Sequence, residues 1–304
     1  MRPRTERVMT MLKPLATEQR NDRTMHLDQM KVEDLLHVMN DEDHSVPLAI
    51  KRQIPVITEV VKQTIASFQR GGRLIYIGAG TSGRLGVMDA AECVTTFGVP
   101  PDRVMGIIAG GDAALAGVVE YVEDQKETGR DDLREIRLQS SDIVIGIAAS
   151  GRTPYVMGAL EYAQDVGATT IAFSCNTHAA LSQLADLKIE VETGPEVLTG
   201  STRLKAGTAQ KLVLNMISTA SMVGLGKVYE NLMVDVQPMN EKLKLRARRI
   251  IAEATGVGEE EAGMYFEQAH GQVKVAIVMI LTGVSYPDAI ARLDRADGFV
   301  RDAL

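Results

Sequence analysis

Arg73-Leu-Ile-Tyr-Ile-Gly-Ala-Gly-Thr-Ser-Gly-Arg84 and Asp142-Ile-Val-Ile-Gly-Ile-Ala-Ala-Ser-Gly-Arg152 carry one design twice. In each, a short apolar strand runs into a turn of small residues that closes on Ser-Gly-Arg. An unbroken apolar run such as Leu74 to Ile77 reads as a strand buried on both faces. Glycines at 78, 80 and 83 permit a tight turn and a close backbone approach that a larger residue would block. The helix that follows turns free N–H groups and the positive end of its dipole toward whatever lies over the turn. Gly80, Thr81, Ser82 and Gly83 in the first copy, and Ser150, Gly151 and Thr153 in the second, are therefore candidate ligands of a phosphate-sized anion.

Strand-like runs at 73–77, 104–109, 142–147, 169–173 and 187–191 alternate with helix-like segments, the signature of βα units on a parallel sheet flanked by helices. Ligands of such sheets sit beyond the carboxyl ends of the strands, where both Ser-Gly-Arg turns fall. Before Gly71 the chain reads as helical, with an acidic Asn40-Asp-Glu-Asp43 turn between two apolar stretches. A third loop, Gly194 to Arg203, enters a long helix, and its Ser201 and Thr202, with Lys205, are placed to complete the same pocket. From about Asn240 the chain is helical and basic, through Lys242, Lys244, Arg246, Arg248 and Arg249. The expected organisation is a helical segment 1–55, an α/β domain 56–239 and a small helical domain 240–304.

Gly78-Ala-Gly80-Thr-Ser-Gly83 also spells the dinucleotide fingerprint. That reading needs an acidic residue about 20 positions on, at the end of the next strand, whereas Asp89 and Glu92 fall earlier, inside the expected helix. A nicotinamide site is set aside on that ground. Forty acidic against 33 basic residues leave a net charge of −7, with no basic run suited to a nucleic-acid backbone. Cys93 and Cys175 lack paired-thiol spacing, and the five histidines form no ligand pair, so neither a disulfide framework nor a metal is expected. Arg2, Arg4, Glu6 and Arg7 precede no apolar stretch, and no 18-residue apolar run occurs, so a soluble cytoplasmic protein with no membrane partner is expected.

Binding residues alone do no chemistry, so the acids matter. Leu85, Met88 and Glu92 stand at i, i+3 and i+7, which places Glu92 on a face with two apolar residues and predicts a raised pKa; a buried ion pair with an arginine such as Arg84 is the alternative. After Gly111, an Asp112 cap and a stripe of Leu115, Val118, Val119 and Val122 predict a helix that Glu123 borders, with Glu120 and Asp124 turned further away. An ordinary solvated acid is the alternative for Glu123. Two carboxylic acids near a sugar phosphate suit proton transfer, which serves isomerisation and elimination alike.

The strand-turn-helix pair resembles the sugar isomerase (SIS) domain, with a flavodoxin-like sheet, and the match is closer to the N-acetylmuramic acid 6-phosphate etherase family. Thr17-Glu-Gln-Arg-Asn21, Tyr76 to Gly86 with Asp89-Ala-Ala-Glu-Cys93, Ile147 to Tyr155, and Leu198 to Lys211 continuing to Asn231-Leu-Met-Val-Asp-Val236 and Asn240-Glu-Lys242 carry it. The resemblance implies a lyase that removes D-lactate from C3 of N-acetylmuramic acid 6-phosphate, leaving N-acetylglucosamine 6-phosphate, with no cofactor. It implies that Glu92 protonates departing lactate and activates water, and that Glu123 takes the C2 proton. It also implies a homodimer in which loops of one subunit close the site of the other. An aldose-ketose isomerase and a non-catalytic sugar-phosphate sensor remain as alternatives. Two positions depart from the family pattern: Val94-Thr95-Thr96 replaces a proline-containing segment, and Tyr121-Val122 replaces Gly-Ala between the paired glutamates.

Overall fold

The computed structural model describes residues 15–304 apart from 118 and 239. The basic residues at the start of the chain and Val118 lie outside the described residues. Every expected strand is present. β1 (Leu74–Gly78), β2 (Val104–Ile108), β3 (Ile143–Ile147), β4 (Thr169–Ser174) and β5 (Leu187–Glu190) form one sheet in the order β2-β1-β3-β4-β5. β1 pairs in parallel with β3, β3 with β4, and β4 with β5. Successive connections leave β1 in opposite directions, and this order opens a crevice at the carboxyl ends of β1 and β3.

The helices are α1 (Val32–Asp43), α2 (Ser45–Lys51), α3 (Ile54–Gln69), α4 (Gly80–Phe97), α5 (Ala113–Ala116), α6 (Lys126–Glu135), α7 (Pro154–Val166) and α8 (Lys205–Val223), then α9 (Glu241–Thr255), α10 (Glu259–Gln268), α11 (Val273–Thr282), α12 (Tyr286–Arg295) and α13 (Val300–Ala303). The chain forms two compact units, a different partition from the three segments read along the sequence. One runs to Asp89 and includes Met105–Ile217; the other holds Ala90–Val104 and Ser218–Leu304.

In the first unit every residue of β1 and β3 is buried. Tyr155, Val156, Ala159, Leu160 and Ala163 of α7 share a core with Ile75, Ile77 and Val144. Asp142 is 1% exposed and fixes how the two central strands begin. Its carboxylate accepts from the Arg73 amide at 2.9 Å, from Arg73 Nη2 at 2.6 Å and from the Gln139 amide at 2.9 Å. The Ile143 amide then donates to the Arg73 carbonyl at 2.8 Å. With Leu74 held opposite Ile143, Gly78 ends opposite Ile147, and the two turns leave the sheet side by side.

The N-terminal segment is part of this unit. Asn176 Nδ2 donates to Thr17 Oγ1 at 3.0 Å and to the Ala149 carbonyl at 2.9 Å, and Thr24 Oγ1 donates to the Val197 carbonyl at 2.9 Å. Asn40 to Asp43 were expected as a turn, but α1 runs through Asp43. Cations are at hand to neutralise its acidic end: Lys205 Nζ lies 2.6 Å from Glu42 Oε2, and Arg23 Nη1 lies 3.1 Å from Oε1. Burial opposes ionisation of Glu42, but Lys205, Asn21 and Arg23 together outweigh it and hold the carboxyl below its usual range.

The second unit is a helical domain, α9 to α13, joined by a short hairpin of β6 (Val228–Tyr229) and β7 (Leu232–Met233). Ile250, Ile251, Phe266, Ala276, Ile277 and Val278 lie in its core. The basic face of α9 is matched by acids, with Lys244 on Glu241 at 2.8 Å, Arg249 on Glu253 at 3.0 Å and Arg248 on Glu267 at 3.0 Å. Among the described residues no single helix is long and apolar enough to cross a membrane. The bent pair Val273–Thr282 and Tyr286–Arg295 has that length and composition only across a 103° break.

Lys205 is 3% exposed, so removing its partner strands a buried charge. Glu42→Gln is expected to lower the unfolding free energy at neutral pH by about 3 kcal/mol. Because the folded carboxyl is held below its unfolded value, its contribution is full above the glutamate range and is lost as pH falls through the folded pKa. Urea titrations should therefore show the gap between variant and parent closing below about pH 4. A pH-independent gap contradicts the assignment.

Candidate functional site

A cavity of about 400 Å³ opens at the carboxyl ends of β1 and β3. Gly80, Thr81 and Ser82 line it from the β1–α4 turn, Ser150, Arg152 and Thr153 from the β3–α7 turn, and Thr202 from the third loop. Its remaining polar wall is acidic: Glu18, Glu123 and Asp124. A second lobe of about 430 Å³ shares Ala79, Gly80, Glu123 and Asp124 and continues past Arg84, Glu120 and Tyr121. Glu123 and Asp124 stand where the lobes meet.

The two turns are built for close approach. A Cβ on Gly83 would lie 2.6 Å from the Gly78 carbonyl oxygen, so only glycine lets α4 begin directly against its strand. Gly151 has φ +67°, and a Cβ there would lie 2.4 Å from that of Ala179. Neither lines the cavity; each shapes the backbone whose neighbours do. Ser150 Oγ accepts from the Arg152 amide at 3.2 Å, which leaves its own proton for a guest. Thr153 stands at the N-cap of α7, and its side chain makes no cap hydrogen bond. Hydroxyls of both helix-start turns and three carboxylates thus line one cavity.

Glu123 reaches the cavity by a different route from the one its spacing suggested. The helix expected after Gly111 stops at Ala116, and the Asp112 side chain makes no cap hydrogen bond. Gly117 is extended, Tyr121 is left-handed at φ 62°, and Val122–Asp124 form a 3-10 turn. No continuous stripe exists, so Asp124 and Glu120, read as turned away, also line the lobes.

Glu92 was read as sitting within an apolar face of its helix. It lies on α4 in the second unit, and it is exposed, as is Met88 at 44%. Neither lobe that contains Glu123 is lined by it. Without the family's proline, α4 continues uninterrupted through Val94, Thr95 and Thr96 to Phe97. The alternative partner is also engaged elsewhere: Arg84 Nε donates to the Ala114 carbonyl at 3.0 Å and Nη2 to the Gly117 carbonyl. Asp89 is a buried strut that accepts from Tyr76 Oη at 2.9 Å and from Asn215 Nδ2 at 2.7 Å.

Lys205 and Ser201 do not line the cavity. Lys205 is committed to Glu42, and the amides that open α8 are taken by a carboxylate from its own loop. Glu196, fully buried, accepts from the Lys205 amide and the Ala206 amide, both at 3.0 Å. Burial raises its pKa against those hydrogen bonds. This helix end is therefore closed to an outside anion, unlike the first turn of α4.

Three charged lining residues, Arg152, Glu18 and Asp124, are not among the expected ligands. Arg152 carries a signal, being the arginine of the second Ser-Gly-Arg. Glu18 lies in the quoted Thr17 to Asn21 block, but its position depends on Thr17 and Asn176 meeting across 159 residues. Asp124 was discarded by the helical wheel of a helix that does not form. Among the described residues no group of three or more His, Cys, Asp or Glu is placed to hold a metal ion.

Comparison with known proteins finds the SIS domain and its relatives. The profile of the glucokinase regulatory protein N-terminal SIS domain matches residues 56–164, and that of the SIS domain matches residues 115–220. The chain is 66% identical over 294 residues to the N-acetylmuramic acid 6-phosphate etherase of an Exiguobacterium species, covering 97% of this chain and 100% of that protein. It is 60% identical over 294 residues, with the same coverage, to the protein of that name from Geobacillus thermodenitrificans. A phosphoheptose isomerase from Francisella tularensis shares the fold at TM-score 0.51 and 17% identity, over 64% of this chain and 100% of that one.

Tyr121 holds a conformation that costs an L side chain roughly 1–2 kcal/mol. Tyr121→Gly is therefore expected to hold stability within about 0.5 kcal/mol, relief of strain offsetting glycine's entropy. Tyr121→Val should lose about 1 kcal/mol more, because a β-branched residue tolerates positive φ least. Urea denaturation midpoints decide it; equal losses in both variants contradict the strain.

Proposed function

Because the chain belongs to the N-acetylmuramic acid 6-phosphate etherase family, a family of lyases, we propose that it splits the D-lactyl ether of N-acetylmuramic acid 6-phosphate in the breakdown of cell-wall amino sugars. The products are N-acetylglucosamine 6-phosphate and D-lactate. The phosphate sits against Thr81, Ser82, Ser150 and Thr153, where hydroxyls and helix-start amides supply donors and the α4 dipole favours negative charge. Carboxylates cannot take that end, since like charges repel. The open-chain sugar therefore extends toward Glu123.

The C1 aldehyde acidifies the proton on C2, and Glu123 takes it. The electron pair of the C2–H bond becomes the C2=C3 double bond, the C3–O bond breaks, and lactate leaves with a proton from Glu92. Water then adds at C3, activated by the carboxylate that gave the proton, and C2 is reprotonated. Glu123 and Asp124 both stand at the junction of the two lobes, which supports an acid there, and the family motif selects Glu123. Glu92 is assigned through the family motif.

Glu92 lines neither lobe and is exposed. The reading therefore includes a cytoplasmic homodimer in which each cavity, with its own Glu123, is completed by Glu92 of the partner copy. A dimer related by a two-fold axis contains two such composite sites.

Purified protein incubated with N-acetylmuramic acid 6-phosphate in oxygen-18 water is expected to release unlabelled D-lactate and to place the label at C3 of the product. No lactate from folded protein rejects the etherase; label in lactate rejects elimination. An isomerase would instead turn over sugar phosphates that lack a leaving group at C3.

Glu92→Gln and Glu123→Gln are each expected to abolish lactate release. Co-refolded in equal amounts, they should recover about a quarter of parental activity, since half of the dimers are mixed and each mixed dimer holds one intact site. Recovery near zero, with mixed dimers verified, contradicts completion by the partner.

A further inference from the structure

Ser82 lines the cavity from the first turn of α4 and is itself 7% exposed. Its hydroxyl donates to Gln210 Oε1 at 3.1 Å. A hydroxyl whose proton is spent on a side chain behind it presents only lone pairs to a guest, and lone pairs repel a phosphate. Gln210 lies on α8, 128 residues away in sequence, and is 1% exposed. Its Nε2 has no hydrogen-bond partner among the described residues. Two unmet N–H groups in a dry interior are a costlier orphan than an under-used carbonyl.

One rotation relieves most of this: one N–H gains a partner, and the orphan left behind is a carbonyl, the cheaper of the two. Half a turn of the terminal carboxamide exchanges its oxygen and nitrogen, which have nearly the same shape. Nε2 then donates to Ser82 Oγ, and the Ser82 proton swings into the cavity. We propose that Gln210 is a positioning residue for the phosphate: an anion in the cavity selects the turned carboxamide and so converts Ser82 from acceptor to donor. With an anion bound, Gln210 gives a proton to Ser82 and Ser82 gives its own to phosphate oxygen. Gln210 touches no substrate and takes no part in the bond changes. The inference rests on the cavity being the phosphate site.

The test compares parent, Gln210→Met, Gln210→Glu, Ser82→Ala and the Gln210→Met/Ser82→Ala double variant. Inorganic phosphate affinity is measured by calorimetry, and KM and kcat by lactate release. Gln210→Met keeps the length of the side chain and removes its donors. It is expected to weaken phosphate and raise KM by about tenfold, with kcat within about twofold. Ser82→Ala should do the same, and the double variant should be no worse than either single one, because the two act as a unit. Gln210→Glu keeps the acceptor, has no donor, and serves if the Met variant misfolds. It should bind phosphate more weakly than the parent by at least as much.

Phosphate affinity unchanged in Gln210→Met or Gln210→Glu, even with a lowered melting temperature, overturns the proposal and leaves Gln210 as packing. Additive losses in the double variant also overturn it. Loss of phosphate affinity as expected, together with no lactate from the parent, supports the proposal and refutes the etherase instead.

Discussion

Parallel pairing of β1 with β3 is the constraint on which everything else depends. Asp142 ties the start of both strands, and the register carries that alignment to Gly78 and Ile147 at the other end. Two turns separated by some seventy residues of sequence then leave the sheet as neighbours. Each can hold a few hydroxyls and amides; side by side they make a cavity wide enough for a sugar phosphate. The strand order places this at the point where successive connections diverge.

Two kinds of group line the cavity. The two helix-start turns bring hydroxyls, and Glu18, Glu123 and Asp124 bring carboxylates. An anionic group has one place to go, and the remainder of its carrier is drawn toward acids able to accept its hydroxyl or carbon-bound protons. The rest of the unit supports this arrangement. Glu196 closes the start of α8, Lys205 is withdrawn to Glu42, and Thr17 with Asn176 holds the turn that bears Glu18. The loop from Gly194 to Arg203 thus acts as frame more than as ligand.

What the sequence reveals well is what depends on near neighbours. β1 and β3 are legible because each is a short apolar run ended by small residues, whereas β5 alternates apolar with charged residues. The candidate ligands Gly80 to Ser82, Ser150 and Thr153 follow from local turn chemistry. Legibility fails where distant partners decide. Lys205 looks like an anion ligand until Glu42 arrives from α1, and Glu18 has no local mark at all. Glu123 lines the cavity but is exposed and not carried by the helix its spacing suggested, since Gly117 and the left-handed Tyr121 break that helix. Glu92 shows the opposite failure: its spacing matches an apolar face, but that face is open in the single chain.

The central claim is that one cavity beyond β1 and β3 receives the phosphate at its hydroxyl-lined side and turns the sugar carbons toward Glu123. A crystal structure of the protein with N-acetylglucosamine 6-phosphate tests it most directly. The account predicts phosphate density within hydrogen-bond distance of Ser82 and Ser150, with C2 and C3 of the sugar facing the Glu123 carboxylate. Phosphate bound elsewhere, or bound there with the sugar directed away from Glu123, contradicts it.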